Sequence, residues 1–271
     1  MLWAQYALMF ALFAPLLATA EWANPECERR EPPPPWWRRG TDWAFAALQL
    51  ALVPALAVGV NRWAPALVAH GPLHGVAASL PGTATAAGAF LVADFTAYWA
   101  HRGEHHFRAA WRWHSVHHSS VRLDWLAGRR FHPLDVVVQQ VLPVGVVVAL
   151  GVPLVALVPY FLVAGLVTLL AHCNVAVPGG WLARVVVTPG YHRSHHERGR
   201  AGSNFALVLP LSDILFGTAS FERGPRRFGT AGPVPETGFV ALLHWGFGGR
   251  PRAAQRASTS TPAQKDTALA T

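Results

Sequence analysis

"LDVVVQQVLPVGVVVALGVPLVALVPYFLVAGLVTLLAH", residues 134–172, carries one charged side chain, Asp135, before it ends on His172. An apolar run of this length exceeds a single span and suffices for two helices, with a turn near Gly151 and Pro153. Such a pair leaves one face of a membrane and returns to it, so His172 is delivered to the side where the run began. The whole chain has the same character: of its 271 residues, 52% are hydrophobic and only 13% charged. With a positive mean hydropathy, that balance belongs to a protein dissolved in lipid rather than in water.

Working outward, the opening "MLWAQYALMFALFAPLLATAEW" ends in a cleavage-like "ATAEW" but lacks a basic leader. It is therefore read as a retained first helix. The loop that follows has a run of prolines, then Trp36 and Trp37 beside Arg38 and Arg39, residues suited to the headgroup level. A second span is expected from about Trp43 to Val60. Residues 64–80 carry His70, Pro72 and His74, which suggests a short interfacial or re-entrant piece. A third span is expected from about Thr85. The fold class is thus all-α: an integral membrane, multi-pass bundle of about four to five spans with a helical cap. Residues 1–85 form N-terminal membrane helices and a Pro-rich loop, 86–249 a catalytic domain, and 250–271, rich in Ser, Thr, Ala and Pro, a disordered tail.

The formal net charge of +8 comes almost entirely from arginines placed beside apolar runs. That is the placement of topology signals, so no nucleic-acid partner is expected. Four arginines lie between the first two spans and six between residues 101 and 130, against Arg62 alone between the second and third spans. The positive-inside rule then puts the Pro-rich loop, the histidines and the C-terminal region on the cytoplasmic side. The only cysteines, Cys27 and Cys173, argue against a disulfide framework.

The histidines carry the chemistry. The pattern HxxHH occurs at 114–118 and again at 192–196; with 14 histidines in the chain, a shuffled sequence would contain roughly 0.04 copies. On a helix the first histidine shares a face with the other two, which themselves diverge by about 100°, so one element can serve two ions. In "DFTAYWAHRGEHH", residues 94–106, Asp94, Tyr98, His101 and His105 fall along one helical stripe. His101, His105, His114, His117, His118, His192, His195 and His196 are therefore eight candidate ligands, and His172 is the ninth. A closed structural zinc site takes four ligands, and the surplus points to two ions with open positions. Imidazole alone does not choose among iron, zinc and copper.

The remaining polar residues are less specific. Asp94, deep in an apolar helix, is expected to accept a hydrogen bond, either as a structural contact or from the outer ring nitrogen of a ligand. His132, before Pro133 and with Asp135 nearby, is either a helix cap or a tenth ligand or ligand support. His106 is expected to be solvated, while His70, His74 and His244 have no partner spacing. Two rival readings accommodate the clusters: a membrane metal transporter or sensor, and a non-catalytic lipid-binding relative with a zinc-filled cage.

"DFTAYWAHRGEH", "WRWHSVHHS", "RRFHPLD", "AHCNV", "TPGYHRSHH" and "SNFALVLPLSDILFGT", in this order, resemble the fatty acid hydroxylase and sterol desaturase superfamily of integral membrane enzymes. The likeness covers roughly half the chain. It implies a non-haem di-iron monooxygenase or desaturase that uses O2 and two electrons on a C–H bond of a lipid. By this resemblance the boxes are His101 and His105; His114, His117 and His118; and His192, His195 and His196. Asn174, Asn204 and Asp213 are further ligands or ligand supports, and no catalytic side chain beyond the ligands is assigned. Two iron ions are implied, with zinc able to replace them in the isolated protein. Family members often have an aspartate before the Asn-aromatic segment and a tryptophan near its end, where this chain has glycine, alanine and serine. No flavin or pyridine-nucleotide fingerprint and no cysteine cluster is present, so electrons are expected from a cytochrome b5-like protein or a ferredoxin docking on the arginine-rich face.

Overall fold

The computed structural model describes residues 2–26, 39–177, 179–200, 202–222 and 227–249, with side chains from residue 11 onward. Cys27, Trp36, Trp37, Arg38 and the expected tail at 250–271 lie outside the described residues. Among the described residues the chain is all-helical and contains no strand, only two isolated bridges, Pro25 with Val175 and Glu197 with Phe228.

Helix α1 spans Leu2–Ala23 and α2 spans Gly40–His70. Helix α2 does not stop near Val60: it continues through Arg62 and Pro65, so residues 64–70 belong to it rather than to a re-entrant piece. Pro54 and Pro65 each remove one backbone donor, and the surrounding turns sustain the helix, as they do in apolar helices generally. Only the six-residue α3, His74–Ser79, stands apart. It is held by Leu73 N–H donating to Leu150 O at 2.8 Å. Here the α2–α3 turn meets the turn after residue 149 backbone to backbone: a Cβ on Gly71 would lie 2.1 Å from Gly151 N, and Gly151 itself has φ +96°. Neither position accommodates a side chain.

Helix α4 spans Gly82–His106 and α5 spans Arg108–His117, with extended Phe107 as the break between them. Helix α6, Pro133–Ala149, and helix α7, Val158–Ala171, are joined through Gly151, Pro153 and a 3₁₀ turn over Leu154–Leu157. The expected hairpin is thus present, with its turn at the expected residues. Short helices α8 (Pro189–His195), α9 (Leu211–Leu215) and α10 (Phe239–Gly246) complete the fold.

The core between α2, α4, α6 and α7 is built from small and β-branched side chains, among them Ala64, Ala89, Ala93, Val147, Val148 and Ala164. Small residues let these helices approach closely. Two segments are long and apolar enough to cross a membrane, Gly40–His70 and Leu154–Ala171. Only 28% and 39% of their most apolar windows are buried, so most of those side chains are exposed, partly exposed or turned to a cavity and are not sealed in a close-packed core. Helix α4 is long enough but is not among them; Asp94, Tyr98 and its threonines lower its apolarity.

Candidate metal centre

Both HxxHH patterns adopt the same local structure. Helix α5 ends on His117 with His118 as its C-cap, and α8 ends on His195 with His196 as its C-cap. The second helix starts where Thr188 accepts a hydrogen bond from Tyr191 N–H and Pro189 follows it, a favoured start because proline lacks a donor and Thr caps the free amides. The first and last histidines of each pattern then share a face, and the middle one turns to the other side.

The structure brings all nine histidines together, in two groups. His101 and His105 of α4, His114 and His118 from α5 and His195 from α8 form one. His117, His172, His192 and His196 form the other. Within each group the ligand-type atoms lie within 4.8 Å of one another. Each HxxHH gives two imidazoles to one group and one to the other. The groups adjoin where the His118 and His196 rings stack at 4.2 Å between centroids.

The outer nitrogens fix which atom faces inward. His101 Nδ1 donates to Phe205 O at 2.8 Å, His195 Nδ1 to Ser203 O at 2.6 Å, and His172 Nδ1 to Thr168 O at 3.2 Å. A carbonyl can only accept, so in a neutral ring each Nε2 presents a bare lone pair to the centre. Those Nε2 atoms crowd together: His172 to His117 is 3.1 Å, His192 to His172 3.0 Å, and His195 to His118 3.2 Å. The Nε2 atoms of His101 and His105 are buried with no hydrogen-bond partner. Converging lone pairs in a dry pocket repel one another and are matched by a cation, so the donor set fits metal ions.

Electrostatics agree. Burial first, and then neighbouring imidazoles, push His114, His117, His118, His192, His195 and His196 well below the usual histidine range. Burial, followed by the Arg129 guanidinium, pushes His172 down to about 3. At neutral pH these rings are neutral and able to ligate.

The other candidates support rather than join the groups. Asp213 accepts from Phe205 N–H, Ala206 N–H, the Tyr191 hydroxyl and the Thr218 hydroxyl at 2.7–2.9 Å. Asn204, in the left-handed region at φ 60°, bonds Tyr191 O and both backbone groups of Ser220. Asp94 accepts from Val208 and Leu209 N–H at 3.0 and 3.1 Å, the structural contact of the two alternatives the sequence left open, while His101 Nδ1 donates to Phe205 O. Together the three residues hold the loop whose carbonyls orient His101 and His195. Asn174 accepts from Arg193 at 2.9 Å. His132 caps α6 by accepting from Leu134 N–H and stands outside both groups; the cap is its observed role. His70, His74, His106 and His244 are exposed.

Sequence reasoning missed the part played by three residues. Buried Glu104 and Asp135 flank His114, with Asp135 oxygens 3.4 Å and Glu104 Oε2 3.6 Å from its Nδ1. Buried Arg193, inside the third box, ties α8 to Glu26, Leu123 O, His172 O and Asn174. A carboxylate before "HH" and an arginine inside "HRSHH" were the available signals.

Beside the histidines lies a cavity of about 480 Å³ between α2, α6 and α7. His101, His114, His117, His172 and His192 line it together with apolar residues such as Val53, Ala57, Val144, Phe161 and Ala164. From Val158 to Thr168 it follows α7 for roughly 15 Å.

Fold and site together define a histidine-rich helical protein with paired groups able to hold metal beside an apolar cavity. Residues 86–218 match the family described as fatty acid hydroxylase. Ornithine lipid hydroxylase OlsE of Rhizobium tropici is 37% identical over 163 residues, 56% of this chain and 47% of its own. Alkylglycerol monooxygenase of Homo sapiens is 30% identical over 148 residues, 54% of this chain and 33% of its own. Very-long-chain aldehyde decarbonylase GL1-6 of Oryza sativa subsp. indica is 32% identical over 137 residues, 46% of this chain and 21% of its own. The chain belongs to the fatty acid hydroxylase/sterol desaturase superfamily. Its matched part spans less than half the length of these relatives, and no solved structure matches it significantly.

Proposed function

We propose that this protein is a membrane-bound, non-haem di-iron oxygenase that hydroxylates or desaturates a lipid C–H bond with O2 and two externally supplied electrons. The observation that carries the reading is the convergence of nine imidazoles at one end of an apolar cavity. The relatives' names speak of lipids and other long-chain compounds: an ornithine lipid, an alkylglycerol and very-long-chain aldehydes.

His101, His105, His114, His118 and His195 would hold one iron ion, and His117, His172, His192 and His196 the other. Iron bound there supplies the dioxygen chemistry, which protein side chains lack. The chain's own residues do the rest. Ser203, Phe205 and Thr168 carbonyls hold the imidazoles in their ligating tautomer. The walls of α2, α6 and α7 take up the lipid chain and keep water from the histidines. Residues 86–249 form the catalytic unit, and residues 1–85 contribute α2 to the wall of the cavity. The bundle crosses the bilayer about four to five times with the histidine face cytoplasmic. Electrons arrive from a cytochrome b5-like protein or ferredoxin docking on exposed arginines such as Arg122, Arg198 and Arg227, where Arg198 N–H donates to Arg227 O.

The test is turnover in reconstituted membranes supplied with ferrous iron, a reductant and labelled dioxygen. Product bearing the label, or a new double bond, is expected only when oxygen and reductant are both present. Turnover indifferent to both would overturn the reading.

A further inference from the structure

The cavity wall contains one cation that the oxygenase reading does not use. Arg129 closes the 3₁₀ turn Ala127–Arg129 and is 6% exposed. One Nη2 bond to Thr168 O, at 2.9 Å, holds its guanidinium, and Nε is buried with no partner. Among the described residues no carboxylate forms an ion pair with it within 4.0 Å. The nearby acids are committed elsewhere. Asp42 receives Arg39 and Arg130; Asp124 receives Arg39 and two backbone amides; Glu21 receives the Trp125 and Asn174 amides.

An unpaired buried guanidinium is costly, because desolvation is not offset by an opposite charge. Such a group gains most from an anion that enters after folding, and the fork geometry of arginine suits carboxylate and phosphate oxygens. Its position says where that anion would sit. Arg129 lines the same cavity as His117 and His172, and Thr168 O accepts from both Arg129 Nη2 and His172 Nδ1. The guanidinium is therefore one shared carbonyl away from a ring of the second histidine group.

We propose that Arg129 anchors an anionic oxygen group of the lipid substrate, a carboxylate or phosphate, at the histidine end of the cavity, leaving the alkyl chain to run between α2, α6 and α7. The proposal rests on the lipid-oxygenase reading and deepens it: the oxidised carbon then lies near the polar end of the lipid and not at its far terminus.

Binding, measured without turnover, tests this. Purified protein in neutral detergent, preloaded with a fluorescent fatty acid, is titrated with palmitate, hexadecyl phosphate, methyl palmitate and hexadecanol. At least one anion is expected to compete about tenfold better than the ester and alcohol, near 1.4 kcal/mol. The two anions, compared with each other, tell carboxylate from phosphate. Arg129→Gln should bring the anion down to the level of the ester while leaving the ester unchanged, and Arg129→Lys should keep part of the preference. Thermal stability of Arg129→Gln should be equal to wild type or higher, since an unpaired buried charge is removed. Equal competition by anion and ester in the wild type, which needs no variant, would overturn the proposal, as would a preference that survives Arg129→Gln. If the ester and alcohol are nonetheless oxidised in the turnover assay, the anchor fails and the oxygenase reading stands. If no lipid displaces the probe and none is oxidised, both fail.

Discussion

His105 and His172 each belong to a different histidine group and differ in how they are held. His172 is the C-cap of α7 and donates its Nδ1 proton to Thr168 O. His105 lies on α4 one turn beyond His101, packed at 5.0 Å against Trp111. Because neither is shared between the groups, His172→Ala and His105→Ala should each roughly halve bound iron, as loss of one ligand opens one ion's cage and leaves the other's complete. Metal analysis after reloading with ferrous iron checks this. Loss of all iron in either variant would mean that the groups are not independent, and full iron in either would remove that residue from the ligand set. Both variants replace a packed imidazole by a methyl group, so folding is followed in parallel by thermal unfolding.

Among the elements, the contact between the 3₁₀ turn Ala127–Arg129 and the end of α7 is a close one beside the site. A Cβ on Gly128 would lie 2.4 Å from His172 Cγ, so Gly128→Ala must displace the imidazole or the turn, at about 1–3 kcal/mol for an overpacked position. Iron in the second group should fall while the first group keeps its ion, a split visible in metal content and in the spectrum of the ferrous protein; unchanged iron in both groups would show that the turn yields without the ring. This contact also marks what the sequence made legible. That the last two histidines of each HxxHH turn to different sides depends only on helical repeat, so spacing revealed it; which of them joins the first, His118 with His114 and His196 with His192, the structure adds. The α6–α7 hairpin was equally plain, because an uncharged run broken by Gly151 and Pro153 has few other solutions. What escaped depends on residues far apart in the chain. Asp94 meets amides more than a hundred positions away, and Arg193 reaches back to Glu26. The length of α2 escaped for a different reason: His70, Pro72 and His74 made residues 64–80 read as a separate interfacial piece, yet the helix runs on to His70, and an apolar helix packed on its neighbours absorbs Pro65 within it.

At the scale of the whole molecule, the cavity joins the histidine end of the bundle to its apolar interior, and its direction follows from two fixed points on α2. Gln49 Nε2 donates to Arg129 O beside the histidines, whereas Ala57 and Asn61 line the cavity farther along the same helix. The outward faces of the helices bear on how a chain enters: Val58 and Leu67 of α2 and Leu162 and Leu166 of α7 are exposed. Both helices that line the cavity therefore also carry exposed apolar side chains, and on the proposed lipid-oxygenase reading a chain would pass from the bilayer sideways into it without crossing water. Ala57 is two helical turns beyond Gln49, about 12 Å, and so faces a part of the cavity well away from the histidines. Ala57→Phe shortens the space available without touching a histidine. Turnover of octadecyl substrates should drop about tenfold relative to dodecyl substrates, the cost of one or two methylenes that no longer fit, with bound iron unchanged. A variant that treats both chain lengths as the wild type does would place the lipid elsewhere, and one that loses iron would show that α2 braces the histidines and does more than line the chain's path.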